Sequence, residues 1–467
     1  MSPSAAERRD KSLLERSLSV FAEVRAGEGA AVLLLTLNVF LLLTSYYLLK
    51  VVREPLILLG GAFGLEGATL KAAASAGQAL LLLAVVPAYG LLASRVNRVK
   101  LITTVTSIFI VCLILFNVFA NLEFPVGLVF FIWLGIFNLM IVAQFWSFAN
   151  DVYTEDQGKR LFAIVAFGGT SGAIAGAWLG GQLSQAIGPY QVMLVSAVLL
   201  FACVVITNVV NRMAAAASGS RSKHAEETLS REGGFRLVLK TRYLLFIALM
   251  VLVYNTVNTN GEFILGDIVT SEANAEAARR LGAGAASAQA VKDAAGKIIG
   301  GFYGDFFTYV NVLTALMQLF LVSRIFKWFG VRAALFFLPV IALGSNAVIA
   351  LVPALLVVRI GKILENSTDY SIQNTTRQAL FLPTTREQKY NAKAAIDTFF
   401  VRFGDVLSFL IVFGITAGLG ARGTSVALAN IGLVALWLLL AAGISRQHRR
   451  LEVDGSDDPE ALKPKRA

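Results

Sequence analysis

Runs of about twenty apolar residues recur along this chain, and no other feature limits its fold so strongly. At 1.5 Å per residue, about 20 apolar residues cross a hydrocarbon core of about 30 Å. On that measure the first six spans fall near residues 30–58, 68–92, 101–121, 126–150, 162–186 and 190–211. Six more fall near 243–266, 304–326, 332–352, 353–381, 394–418 and 424–445. The composition agrees: 15% of the residues are charged and 56% are hydrophobic, against roughly a quarter charged in a soluble domain. The expected fold is all-α and transmembrane, about twelve helices in two six-helix bundles. Its one obligatory partner is the lipid bilayer.

Punctuation in the sequence divides the chain further. Residues 1–29 are polar and basic, 30–212 form the first bundle, and 213–242 form a polar linker. Residues 243–446 form the second bundle and 447–467 a polar tail. Span 1 is too long for a signal-peptide core, so it is expected to remain as an anchor. Placing both termini and the linker in the cytoplasm puts about 30 Lys and Arg on that side and about 5 opposite. This predicts a multi-pass protein of the cell (inner) membrane with both termini cytoplasmic. The alanine-rich segment Ser271–Lys297, within an insertion at 271–300, is too polar to enter the membrane. It is weakly helical in composition and is read as an external cap or mobile loop.

The halves echo each other. Span 2 runs into GLLASRVNRVKL and span 8 into VSRIFKWFGVR, with basic residues at matching turns. Spans 4 and 10 each end in a charged loop before a glycine-containing span. Such pseudo-symmetry marks transporters built from two related bundles around a midplane site.

The chemistry concentrates in residues 359–405. Arg359, Lys362, Asn366, Asp369, Gln373 and Arg377 follow at steps of three or four, which on a helix is one face. Such a face either lines a water-filled cavity or is a helix end reaching the cytoplasm; intramembrane ionisable residues favour the cavity. Span 1 carries Lys50, Arg53 and Glu54. Its two cations share a face and either meet an anion or snorkel to the outer interface. In span 7, Glu262 follows Asn255 and Asn258 on one face, and a buried carboxylate there faces a cation or takes a proton. Asp397, Arg402 and Asp405 lie in span 11, where Arg402 and Asp405 form a local pair or a substrate contact.

Cations and carboxylates in the spans are balanced. Arg and Lys bind phosphate and carboxylate well, so the set suits a small anionic solute. Tyr46, Tyr47 and Tyr370 lie beside the charges, either to stack on a planar ring or as plain packing. In span 5, Gly168, Gly172, Gly176 and Gly180 repeat every four residues. That is a ridge for close helix packing; a phosphate loop would need a preceding strand and a following Lys-Ser/Thr pair. Cys112 and Cys203 fall in apolar spans as small hydrophobes, and His224 and His448 fall in polar segments. No metal site, cofactor or nucleic-acid partner is expected.

These stretches carry a resemblance. KVVREPL in span 1, FWSFANDVYTEDQGKR after span 4, YNTVNTNGEF in span 7 and TDYSIQNTTRQALFLPTTREQKYNAKAAID in spans 10 and 11 resemble the nucleotide (ATP/ADP) translocases of intracellular bacteria and plastids. That family is a distant branch of the major facilitator superfamily. GLLASRVNR is similar to the superfamily's loop motif after span 2. Asn374, Thr375 and Gln378 depart from the family's pattern, Arg377 stands where it has a lysine, and the carboxylate expected near Leu134 is missing.

The resemblance implies alternating access and counter-exchange of adenine nucleotides. Tyr47, Lys50, Arg53, Arg359, Lys362, Tyr370, Asn374 and Arg377 are then the substrate-binding set. Glu54, Glu262, Asp369, Asp397 and Arg402 serve in coupling or charge pairing. Two alternatives stand beside it. One is a proton-coupled carrier of another organic anion, with Glu262 as the proton site. The other is a non-transporting scaffold or a membrane enzyme; the enzyme is disfavoured because no histidine falls in a span.

Overall fold

The computed structural model describes residues 13–19, 23–93, 96–217, 234–282, 287–385, 388–418 and 423–454. The chain begins with α1 (Leu13–Leu18) and α2 (Gly29–Leu58), then a hairpin of β1 (Gly61–Ala62) and β2 (Leu65–Glu66). Five helices follow: α3 (Gly67–Ala93), α4 (Arg98–Asn121), α5 (Gly127–Val152), α6 (Glu155–Ala186) and α7 (Pro189–Ala217). Next come α8 (Gly234–Lys240), α9 (Arg242–Leu281), α10 (Ala288–Leu316), α11 (Val322–Ala334), α12 (Phe337–Leu351), α13 (Leu355–Thr368) and α14 (Asn374–Ala379). The last are α15 (Lys393–Ala395), α16 (Val401–Phe413) and α17 (Gly423–Asp454).

Among the described residues ten helices are long and apolar enough to cross a membrane, by length and composition. The expected ninth span is the shorter apolar helix Phe337–Leu351. The expected tenth is α13 and α14, where the ionisable stripe lowers the hydropathy.

Two local features depart from the sequence reading. The alanine-rich segment, expected to be only weakly helical, forms regular helix over most of its length. α9 runs unbroken to Leu281, and α10 starts at Ala288 behind Ser287, whose hydroxyl accepts from the Ala290 amide at 3.2 Å. Alanine is the strongest helix former, and Gly282, at φ 83°, supplies the left-handed residue that ends α9. The 40 residues of α9 measure about 60 Å, roughly twice the hydrocarbon thickness. The second departure is the hairpin after α2, turned by Phe63 and Gly64 at φ 54° and 73°. Positive φ at both central residues is what the type I′ two-residue hairpin loop demands.

By packing, the chain divides into two units. The first holds the described parts of Met1–Leu56, Val85–His224 and Gly296–Thr308. Its core joins aromatic rings of α4 and α5: Trp133 stacks on Phe137 at 5.4 Å and meets Phe109 and Phe116 edge-on at 5.5 and 5.4 Å. The glycine ridge of α6 lies on α2. A Cβ at Gly168 would stand 2.6 Å from the Thr36 carbonyl oxygen, and one at Gly176 2.5 Å from that of Thr44. At Gly172 it would strike the Phe40 carbonyl, and at Gly180 it would press on Val51 at 3.1 Å. The two backbones touch, and the Thr44 hydroxyl donates to the Gly172 carbonyl at 3.2 Å across the seam. Cys203 is buried, Cys112 is half-buried, and both are free thiols.

An N-terminal strap ties the start of α6 to the chain before α2. Glu28 receives both Nη atoms of Arg160 at 3.0 and 3.1 Å, the Gln157 amide at 3.1 Å and the Arg25 backbone N–H at 2.9 Å. Arg25 pairs with Asp156 at 3.2 Å, and Thr154 and Gln157 close a capping box. Burial opposes the Glu28 charge. The hydrogen bonds from Arg160, Arg25 and Gln157 and the Arg160 charge outweigh it, so the carboxyl lies below its usual range.

The second unit holds the described parts of Ile57–Ala84, Ala225–Ala295 and Tyr309–Ala467, with α9 as its axis. Four helices meet in a buried amide network. Asn260 on α9 donates to Asn430 of α17 at 2.8 Å, Asn430 donates to Asn346 of α12 at 3.0 Å, and Ser408 of α16 donates to Asn260 at 2.7 Å. Asn346 completes it by donating to the Ala342 carbonyl at 2.8 Å. Among the described residues five π-helical turns interrupt the helices between Met317 and Gly418; such turns recur at functional sites.

Spacing alone ends span 12 near residue 445 and leaves His448 in a polar tail. α17 instead continues to Asp454 and buries His448, 3% exposed, with Nδ1 2.9 Å from the Tyr243 hydroxyl. That hydroxyl is also 2.8 Å from the Leu380 carbonyl. His224 lies outside the described residues.

Candidate functional site

In the first unit the charges of span 1 sit inside the helix, because α2 runs through Pro55 to Leu58. Arg53 donates Nε to Glu54 Oε1 at 3.0 Å, its Nη2 reaches the same oxygen, and Glu54 is fully buried. The Arg53 guanidinium lies 4.6 Å from the Phe131 ring. Lys50 Nζ stands 4.2 Å from the Phe307 centroid and 5.1 Å from that of Tyr47. Tyr47 meets Phe307 edge-on at 6.4 Å. Both cations therefore rest on aromatic faces, which attract a partly desolvated cation, and Arg53 is also paired with Glu54.

In the second unit α13 carries Lys362, 1% exposed. A buried ammonium is stable only when paired and hydrogen-bonded, and this one is both. Nζ donates to Asn258 Oδ1 at 2.9 Å and Glu365 Oε2 at 3.3 Å, and lies 3.9 Å from Glu262 Oε1. Gly261 makes room for it: a Cβ there would fall 3.0 Å from Nζ. Glu262 holds two further partners, Asn366 Nδ2 at 3.2 Å and Lys71 Nζ at 3.4 Å.

Lys71, on α3, escapes a sequence reading. It stands four residues past Gly67 at the start of an apolar span, where a lone lysine looks like any cation snorkelling to the interface. The one available signal was that a carboxylate as deep as Glu262 needs more positive charge than its own face supplies.

The rest of the stripe is redirected by a π turn over Asp369–Gln373. Asp369 joins Tyr254, Asn258 and Glu365 around a small cavity. Gln373 is buried, and neither its amide nitrogen nor its amide oxygen has a hydrogen-bond partner among the described residues. Arg377 Nη1 donates to the Tyr254 hydroxyl at 3.0 Å and lies 3.7 Å from Asp397. Arg402 and Asp405 pair at 3.7 Å, and Asp405 Oδ1 also accepts from Asn255 at 2.8 Å and Thr259 at 2.9 Å.

The half-buried Arg359 lies 5.6 Å from the Tyr309 ring, Tyr370 is exposed with its carbonyl accepting from Gln318, and Asn374 is exposed. The structure thus gathers Glu262 and Lys362 with Lys71 and Glu365, and separately Arg377 with Asp397. Among the described residues no group of three or more His, Cys, Asp and Glu could hold a metal ion.

Membrane-length helices interrupted by paired, buried charges define a polytopic transporter. The family model described as Major Facilitator Superfamily matches residues 31–380, more than half of the chain, and the chain belongs to that superfamily. ADP,ATP carrier protein 1 of Chlamydia trachomatis serovar D is 24% identical over 354 residues, covering 66% of this chain and 62% of that protein. The protein of the same name from Chlamydia pneumoniae is 22% identical over 360 residues, covering 66% and 64%. The match therefore spans under two thirds of either relative's length. Among solved structures, a nucleoside transporter NupG aligns with TM-score 0.62 at 14% identity, covering 89% of this chain and 98% of that one. A peptide transporter POT in complex with sulfate aligns with TM-score 0.63 at 13% identity, covering 93% and 99%. These likenesses establish the fold: all-α, transmembrane and of major-facilitator type.

Proposed function

We propose that this transporter is a secondary carrier of an organic anion, an adenine nucleotide exchanged as ATP against ADP, working by alternating access. The observation that carries the anion reading is the buried Lys362, held by Glu365, Glu262 and Asn258. A carrier must shelter its binding cations with internal carboxylates when the solute is gone, since an unpaired charge in a poorly hydrated site is costly. The nucleotide reading is supported by the likeness to ADP,ATP carrier proteins. In the first unit Lys50 and Arg53, against aromatic rings, and in the second unit Arg377 are each proposed as anion-binding residues. The protein would lie in the inner membrane with both termini in the cytoplasm, as the excess of basic residues there favours.

The test is thermal stabilisation of the purified protein by ATP, ADP, sugar phosphates and dicarboxylates. A ligand at about 100 times its dissociation constant adds about 2.7 kcal/mol of stability. Stabilisation by ATP or ADP, lost in Arg53→Ala and Arg377→Ala, supports the reading. Stabilisation by another anion alone refutes the nucleotide and leaves the anion carrier standing.

A further inference from the structure

The Glu262 carboxylate sits in a cradle of three donors drawn from two helices other than its own. Lys71 Nζ of α3 reaches Oε2 at 3.4 Å. Lys362 Nζ and Asn366 Nδ2 of α13 approach Oε1 at 3.9 and 3.2 Å. Exposure is uneven. The Lys71 and Lys362 side chains are 7% and 1% exposed, whereas that of Glu262 is 22% exposed. The donors are walled in by protein, and the acceptor is the member that water reaches. An anion arriving from the open side therefore meets Glu262 first and reaches the donors by taking its place.

From this arrangement we infer that Glu262 stands in for a phosphoryl group of the solute, and that Lys71, with Lys362 and Asn366, is a binding residue for the solute's phosphate chain. This deepens the anion-carrier reading and rests on it. Two ammonium groups and an amide suit a phosphoryl group, whose three acceptor oxygens can each take one donor, better than a carboxylate with two. Charge points the same way. With Glu262 displaced, both ammonium groups lose a carboxylate, a negative charge that an incoming phosphate replaces.

The experiment is the affinity of the purified full-length protein for ADP, inorganic pyrophosphate and adenosine, in wild type, Lys71→Gln, Lys71→Arg and Glu262→Gln. Lys71→Gln is expected to weaken ADP and pyrophosphate at least about tenfold, as losing a charged hydrogen bond does. Lys71→Arg should keep most of the affinity. Glu262→Gln, which removes the internal competitor, should tighten both phosphate ligands. Adenosine should be indifferent to all three changes. The inference is overturned if Lys71→Gln binds as the wild type does, if Glu262→Gln weakens binding, or if the wild type binds neither phosphate ligand. Pyrophosphate binding that depends on Lys71, without ADP binding, supports the cradle and refutes the nucleotide. ADP binding that ignores Lys71 does the reverse.

Discussion

Replacing Lys362 by methionine isolates the energetics of the buried charge group. The substitution keeps an unbranched stem of similar length and removes the ammonium. Glu365, nearly buried, loses its 3.3 Å partner, and Asn258 loses a donor at 2.9 Å. Removing one member of a buried pair costs about 3–5 kcal/mol, because the remaining charge stays desolvated. Lys71 still neutralises Glu262 at 3.4 Å, so the expected loss lies at the low end, about 3 kcal/mol. Adding Glu365→Gln removes the stranded charge, and the double variant should recover at least about 1.5 kcal/mol relative to the sum of the singles. Equilibrium unfolding of the four proteins in detergent measures this cycle. Lys362→Met within about 0.5 kcal/mol of the wild type, or effects that add within that margin, would refute the reasoning.

Further predictions concern the fold around the site. Gly176→Ala places a Cβ 2.5 Å from the Thr44 carbonyl oxygen and should cost about 1–3 kcal/mol as overpacking. Gly344→Ala, with nothing within 4 Å, should be neutral or stabilising by up to about 1 kcal/mol; equal melting temperatures for the two would contradict the ridge. Asn430→Ala strands Asn260 and Asn346 and should destabilise by about 1–3 kcal/mol per orphaned group, with an unchanged unfolding midpoint counting against the network. Glu28 has a folded-state pKa below its unfolded one. Its contribution is therefore complete above the unfolded pKa and is lost as pH falls through the folded pKa. Glu28→Gln should melt lower than the wild type at neutral pH, and the gap should close as pH drops below about 4.5; a gap independent of pH would refute that assignment.

The sequence made the spans legible because hydrocarbon demands twenty apolar residues wherever a helix crosses, and it made the stripe on α13 legible because charges there have no membrane reason to exist. The glycine ridge was readable for a similar reason, a four-residue repeat having one geometric meaning on a helix. Partners were another matter. Periodicity reports which face a residue occupies and is silent on what stands opposite, so Lys71, 191 positions from Glu262, could not be paired with it. The Glu28–Arg160 strap, 132 positions apart, escaped for the same reason. The π turn at Asp369–Gln373 interrupts the stripe at its centre, and no residue type announces such a turn. The buried His448 was hidden by its basic neighbours Arg446, Arg449 and Arg450, which read as a solvated tail.

The most direct test of the central claim is flux. Proteoliposomes carrying the purified protein and loaded with ATP should take up radiolabelled ADP, and uptake should stop when the internal nucleotide is omitted. Arg53→Ala and Arg377→Ala should each abolish it in protein that still folds. ADP uptake by the wild type that needs no internal nucleotide and collapses with an uncoupler would contradict exchange. No uptake of ADP or ATP under any loading would contradict the nucleotide carrier altogether.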